Sequence, residues 1–426
     1  MALQQRHVLL ALSRLYGNIA LCVASLICVL TSFVYIFQGN VIRWPPRAPY
    51  FGKTVGPVDN TRIPDYLSAF KTAKSKKILF WTPFWTSYRD WPHFFNAMTA
   101  GECPVSNCDL TFDADELDQA DAVVFHLIDL YWSQNNLPSR RPAGQIWILF
   151  CLESPAYPQT RIINTTVLNG VFNWTMSYRW DSDIPVPYGL VLPRNSLSEA
   201  ARQHVLPEAV RRSLPLRPQL QRSLSRPKTK LVAWMASNCD APSRRSDYVR
   251  ELQMYIPVDV YGACGPLTCG QRESVKRQED DSNSVCEVTM ASYRFYLAFE
   301  NALCPDYVTE KFFRTLTLGV VPVVMGGAQY SKLAPDGSFI DAMRYRPRQL
   351  AQLLLYLESN NTAYEDFFLW KESYDIVSAH PMRPLTCGLC RRLHEVTPGS
   401  FVGTHEELDR WFSASQCLNW SPNLWR

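Results

Sequence analysis

YRFYLAFENALCPDYVTEKFFRTLTLGVVPVVMGG, residues Tyr293 to Gly327, decides the fold of this chain. Tyr293, Phe295, Leu297 and Phe299 alternate with Arg294, Tyr296, Ala298 and Glu300, which is the period of a strand. A polar loop follows. Thr309 is then placed to cap a helix over Glu310 to Leu318, Gly319 to close it, and Val320 to Met325 to form the next strand. Glu310 and Lys311 fall in the first turn of that helix, so free backbone N–H groups and the positive dipole end meet an ammonium at one point. A phosphate group needs that combination. No glycine-rich phosphate loop accompanies it, and on pattern alone a capped helix with Lys311 in solvent is the competing reading.

Working outward, Lys230 to Ser237 and Val258 to Ala263 read as further strands, and Arg348 to Ser359 as a helix. Upstream, Lys76 to Trp81, Ala120 to Leu130 and Gln145 to Glu153 are apolar runs bounded by turn residues, with helix-length segments between them. Between the two series, Arg202 to Lys230 holds eight Lys or Arg residues against the single acid Glu208, interrupted by Pro207, Pro215, Pro218 and Pro227. A solvated inter-domain linker fits this better than a patch for an anionic partner. The economical fold is two α/β domains facing across a cleft. Ligands of such sheets lie beyond the carboxyl ends of the strands, at the loops leaving Glu153, Ser237 and Glu300.

At 426 residues the chain exceeds one compact core, and 47% hydrophobic against 19% charged residues excludes wholesale disorder. A net charge of +4 is too small for a nucleic-acid surface, so no nucleic-acid partner is expected. Ile19 to Phe37 carries no charge and is long enough, as a helix, nearly to cover a bilayer core, predicting a single membrane span. A cleaved signal peptide is the rival, but the apolar run exceeds the usual length and no convincing cleavage site follows. Arg6 and Arg14 before the span are balanced by Arg43, Arg47 and Lys53 after it, so the flanks do not orient it. Proline-rich, non-periodic sequence from Gln38 to about Ser75 reads as a stem.

Beyond the span lie four N-x-S/T sequons, at Asn164, Asn173, Asn360 and Asn419, and eleven of the thirteen cysteines. Together they suggest an oxidising, glycosylating lumen in which Cys103 and Cys108, Cys264 and Cys269, or Cys387 and Cys390 enter disulfides, with pairing open. Eleven is odd, and Cys151, inside an apolar run, is the preferred free thiol. Cys387 and Cys390 with His394 nearby could also be half of a zinc site. No second half with matching spacing exists, which favours disulfides.

Beyond Lys311, four side-chain groups are candidates for the chemistry. Ile146 to Leu152 is a buried-strand pattern delivering Glu153 to a rigid turn, where partial desolvation suits a carboxylate to act as a general base; an ordinary loop acid is the bland alternative. Ser237 and Asn238 end a strand and precede Arg244 and Arg245, whose planar forks fit phosphate oxygens. Asp181-Ser182-Asp183 matches the D-x-D that holds a divalent ion elsewhere, with a structural or acceptor-side role as the alternative. The aromatic cluster from Trp81 to Trp91 could stack on sugar faces or simply pack beneath the cleft.

Tyr293 to Gly327, together with VAWMASNC (Val232 to Cys239), CLESP (Cys151 to Pro155) and TMSYRWDSDIPVPYG (Thr175 to Gly189), resembles the animal α-1,3-fucosyltransferases of glycosyltransferase family ten, over about Lys76 to Cys390. The resemblance implies a GT-B-like fold of two Rossmann-like domains and inverting transfer of fucose from GDP-fucose to the 3-hydroxyl of GlcNAc in a glycan. Glu153 matches the family's proposed base, Arg245 and Lys311 its contacts to the diphosphate, and Asn301, Tyr307 and Glu310 its contacts to fucose and ribose. Arg244 is the alternative to Arg245. No cofactor or bound metal is strictly required, with stimulation by Mn²⁺ allowed for. The implied organisation is a cytoplasmic tail (1–18), signal-anchor (19–37), stem (38–75), acceptor-binding domain (76–205), linker (206–229), GDP-fucose-binding domain (230–380) and disulfide-containing tail (381–426) of a type II Golgi membrane enzyme. A non-catalytic lumenal glycan- or nucleotide-sugar-binding relative is the other class.

Overall fold

The structure is a computed structural model and describes residues 73–99, 103, 105–134, 136–193, 228–269, 285–378, 386–396 and 402–421. The expected membrane segment and most of the stem and of the basic linker lie outside these residues, among which no helix is long and apolar enough to cross a membrane.

Two parallel sheets and a two-stranded antiparallel one make up the described strands. The first contains β1 (Lys76–Phe80), β2 (Cys108–Thr111), β3 (Ala122–His126), β4 (Ile146–Cys151), β5 (Trp174–Ser177) and β6 (Ile184–Pro185), in the order β2-β1-β3-β4-β5-β6. Every residue of β3 and β4 is buried, as expected of strands covered on both faces, and this explains their unbroken apolar runs. The run Ala120 to Leu130 is not one strand. It is β3 followed directly by helix α1 (Leu127–Trp132), a division that continuous hydrophobicity conceals because a buried helix and a buried strand look alike in sequence.

The chain leaves the first sheet through β7 (Gly189–Pro193). The second sheet contains β8 (Lys230–Met235), β9 (Asp259–Tyr261), β10 (Tyr293–Phe299), β11 (Val321–Met325) and β12 (Ile340–Asp341), ordered β12-β11-β10-β8-β9. Around it run α2 (Arg245–Leu252), α3 (Glu310–Thr317) and α4 (Pro347–Ser359). Strand order reverses between β1 and β3 in one sheet and between β8 and β10 in the other, and such reversals are where open α/β sheets leave room for ligands.

Later chain ties the sheets together. Strand β13 (Tyr374–Ser378) returns to pair antiparallel with β7, and helix α5 (Gly388–Glu395) packs Leu389, Cys390 and Leu393 into the core of the first sheet. Gly189 at the start of β7 has no room for a side chain, since a Cβ there would stand 2.3 Å from the ring of Phe313 on α3. The terminal segment buries Leu408 and Phe412 under the first sheet, and Trp420 in the second core beside Tyr248.

Five disulfides are present among the described residues: Cys103–Cys387, Cys108–Cys390, Cys239–Cys264, Cys269–Cys286 and Cys304–Cys417. All six candidate cysteines are bridged, none to the neighbour beside which the sequence sets it, and Cys151 is free and buried. His394 lies near Cys108 and Cys390, but their sulfurs are bonded to each other and cannot serve as thiolate ligands.

The sequons divide sharply. Asn164 and Asn419 are exposed, and Asn360 is part-buried with its Nδ2 on the hydroxyl of Tyr356 at 3.1 Å. Asn173 stands apart from the other three. It is 7% exposed, its Nδ2 donates to the carbonyls of Val402 (2.9 Å) and Gly403 (3.2 Å), and its Oδ1 accepts from the Trp147 N–H (2.9 Å), leaving no space for a glycan in the folded chain.

Candidate active site

The carboxyl ends of β4 and β10 meet. Glu153, two residues beyond β4, is half-buried, and its Oε2 accepts from the hydroxyl of Tyr307, which stands on the loop after β10, at 3.2 Å. Tyr307 is itself buried, edge-on to Tyr178 at 5.0 Å and to Tyr188 at 6.5 Å, and Tyr188 donates to the Leu152 carbonyl at 3.0 Å. The two sheets are thus joined through aromatic rings at the point where each strand delivers its acid. Burial raises the Glu153 carboxyl above the ordinary range; the Tyr307 hydrogen bond and the positive charge of Lys311 oppose this, and the negative charges of Glu310 and Glu300 add to it.

Glu300, the last residue before the loop, was read from sequence only as a strand end. It is fully buried and accepts from the Thr309 N–H (2.8 Å), the Thr309 hydroxyl (2.8 Å) and Lys311 Nζ (3.3 Å). Thr309 occupies the cap position of α3, but its side chain does not cap the helix: the hydroxyl donates to Glu300 and accepts from Lys311 Nζ at 2.6 Å. The Glu300 carboxylate therefore stands against the N-terminus of α3, where both the backbone and the helix dipole favour negative charge. Burial raises the Glu300 carboxyl, with the Lys311 charge opposing.

Lys311 is held between two acids, 3.3 Å from Glu300 and 3.3 Å from Glu310, with 17% of its side chain exposed. Burial alone would lower its ammonium pKa; the two carboxylates outweigh that and raise it, so the charge is permanent near neutral pH. Gly319 at φ 65 closes α3 as the sequence predicts.

Arg244 and Arg245 separate clearly. Arg244 pairs with Asp247 on the exposed face of α2. Arg245 is 2% exposed and donates to the Phe299 carbonyl (2.6 Å) and the Asn238 carbonyl (3.1 Å), bracing the ends of β10 and β8 across the strand reversal, and its Nε has no partner among the described residues. Asn301 Oδ1 is likewise buried without a partner among the described residues, in the loop between Glu300 and Tyr307.

Asp181 and Asp183 have structural partners: Asp181 takes the two-pronged fork of Arg179 at 2.8 Å, and Asp183 accepts from the Thr175 N–H (2.8 Å) and faces His405 at 2.7 Å.

Family models match most of the chain: "Fucosyltransferase, N-terminal" over residues 73–189 and "Glycosyltransferase family 10 (fucosyltransferase) C-term" over 225–411. Among curated relatives, α-(1,3)-fucosyltransferase C of Drosophila melanogaster is 32% identical over 79% of this chain and 78% of its own length. Human α-(1,3)-fucosyltransferase 7 is 34% identical, covering 77% and 84% respectively. Human 4-galactosyl-N-acetylglucosaminide 3-α-L-fucosyltransferase FUT5 is 35% identical over 72% and 73%. A solved α1,3-fucosyltransferase structure with GDP-fucose aligns at 14% identity and a TM-score of 0.49, over 79% of this chain and 97% of that one. With both halves of the chain matched by family models and relatives above 30% identity aligned over most of their length, the chain belongs to glycosyltransferase family 10, the fucosyltransferases.

Proposed function

We propose that this fucosyltransferase moves L-fucose from GDP-β-L-fucose to the 3-hydroxyl of a GlcNAc residue in a glycan, with inversion at the anomeric carbon. Glu153 removes the proton of the acceptor hydroxyl as its oxygen bonds to the anomeric carbon. The bond from that carbon to the diphosphate breaks, and its electron pair leaves on GDP. Lys311 and the positive potential of Arg245 stabilise that charge, with Asn301 and Glu310 placed to hold fucose and ribose. GDP is a good leaving group, so no second carboxylic acid need act on it, whereas an inverting glycosidase requires a second acid.

The observation that carries this reading is one half-buried carboxylate with a raised pKa, Glu153, held at the carboxyl end of the first sheet within electrostatic reach of Lys311 on the second. Residues 76–205 then serve the acceptor and 230–380 the donor, joined by 206–229 and followed by the bridged tail 381–426. The segments 1–18, 19–37 and 38–75 make a type II Golgi enzyme with its catalytic part in the lumen. Five disulfides among the described residues support such an oxidising compartment.

The test is Glu153→Gln, assayed for fucose transfer and titrated with GDP-fucose. Loss of about 10²- to 10⁴-fold in turnover with donor affinity kept is the expected result. Near-normal transfer would remove Glu153 as base, and donor binding without transfer by the wild-type chain would indicate the non-catalytic class.

A further inference from the structure

The turn after β1 is built against its own sequence. Phe84 and Ser87 exchange both backbone hydrogen bonds at 3.1 Å, so Trp85 and Thr86 are the two central residues of a tight hairpin turn. Both have positive φ, 48° and 68°. Such turns are normally made by Asn-Gly or Gly-Gly, because a left-handed backbone is strained for other residues, and a β-branched threonine is a rarer occupant still. One group holds this conformation: buried Asp129, whose two carboxylate oxygens accept the Trp85 N–H (2.8 Å) and the Thr86 N–H (2.7 Å). Asp129 is fixed in turn by His126 Nδ1 at 2.5 Å, and the His126 backbone N–H donates to the Thr82 hydroxyl at 2.7 Å. Strain that persists because surrounding groups over-determine it is characteristic of ligand clamps.

The device sits where the first sheet reverses its strand order, between the ends of β1 and β3 and beside β4, which carries Glu153. It sets the part-exposed Trp85 ring edge-on to Trp132 at 5.6 Å and to Tyr157 at 6.4 Å. Tyr157 lies four residues beyond Glu153, close enough that the Glu153 charge contributes to raising its hydroxyl pKa, after burial. Trp132 is 44% exposed, so its ring is open to solvent beside Trp85.

We propose that Trp85, turned outward by the Asp129 clamp, is the stacking surface for the pyranose ring of the acceptor, and that with Trp132 and Tyr157 it selects which acceptor presents its hydroxyl to Glu153. The apolar face of a sugar covers an aromatic ring while its hydroxyls remain free for polar partners, and the rigid turn removes the ordering cost a mobile tryptophan would incur. This rests on reading Glu153 as the base, but Trp85 touches the acceptor whether or not turnover occurs.

The test uses the full chain with Trp85→Gly and Trp85→Phe. Glycine accepts positive φ freely and keeps the backbone N–H that Asp129 binds, so the turn is retained and its strain relieved. Across a panel of GlcNAc-containing oligosaccharides, Trp85→Gly should raise acceptor KM, and acceptor Kd measured directly in the presence of GDP, by about tenfold. Affinity for GDP and kcat at saturating acceptor should remain within about twofold, and Trp85→Phe should recover most of the acceptor affinity. Unchanged acceptor Kd in a folded Trp85→Gly protein overturns the proposal, as does equal loss of GDP and acceptor affinity. A wild-type chain that binds acceptor without transferring fucose removes the Glu153 reading alone, and the Kd comparison still decides the role of Trp85.

Discussion

Replacing Tyr307 by Phe isolates one oxygen. The ring and its contacts to Tyr178 and Tyr188 remain, and the only hydrogen bond the hydroxyl makes among the described residues, 3.2 Å to Glu153, is lost. That bond is the largest influence opposing the burial that raises the Glu153 pKa, so its removal raises the pKa further. A hydrogen bond to a charged acceptor is worth roughly 1.5–3 kcal/mol, and 3.2 Å is long for an O–H donor, which places this one near the lower figure. At about 1.4 kcal/mol for each tenfold change in protonation, the variant should move the acid limb of the kcat/KM profile to higher pH by about one pH unit. A base works only when deprotonated, so activity on that limb falls as pH drops through the carboxyl pKa. Rates on the alkaline plateau should change much less. The assay is initial-rate fucose transfer across the acid limb, with GDP affinity measured in parallel. An unmoved limb together with weakened GDP-fucose binding would refute the reasoning, because it would assign the Tyr307 hydroxyl to the donor instead of to the base.

Two further substitutions follow from burial. Lys311→Ala leaves Glu300 buried without its cation, and breaking such a pair from one side costs about 3–5 kcal/mol, so thermal unfolding should show a large loss of stability as well as weaker GDP binding; adding Glu300→Gln should restore much of the stability and none of the GDP affinity. Asn173 should carry no glycan by mass spectrometry, while Asn173→Gln, which displaces an amide bonded to Val402, Gly403 and Trp147, should lower stability by about 1–3 kcal/mol in denaturant unfolding.

The segment Tyr293 to Met325 was legible almost to the residue, because alternation, a closing glycine and an amphipathic helix are local signals that the tertiary structure reinforces. Glu153 was legible for the same reason, at the end of a wholly apolar strand. Glu300 was not. In sequence it is the final residue of an alternating strand, and what makes it the counter-ion of Lys311 is the loop folding back so that Thr309 and Lys311 reach it. Disulfide pairing was hidden by separations of 284 and 282 residues for Cys103–Cys387 and Cys108–Cys390, bridges that form only after the chain has returned to its first sheet. Trp85 lay in an aromatic run that packing explains equally well, and only backbone angles distinguish its turn from the core around it.

Two glutamates end two apolar strands, both are raised by burial, and the chemistry needs one base, so the assignment turns on their partners. Glu300 has no exposed surface and three donors within 3.3 Å, and any proton it took would come at the expense of Lys311 and the start of α3. Glu153 has one neutral donor among the described residues and a part-exposed side chain, which suits the proposed base to meet an acceptor hydroxyl. The lysine that neutralises the first acid is the cation proposed for the diphosphate, which means donor binding draws on a charge the fold already has to keep. An anion entering beside Lys311 therefore competes with Glu300 and Glu310 for one ammonium, while the backbone N–H of Thr309 continues to hold Glu300 in place. Lys311 also lowers the Glu153 pKa, so under the proposed assignment a diphosphate seated beside Lys311 would weaken one of the influences that oppose burial at the base.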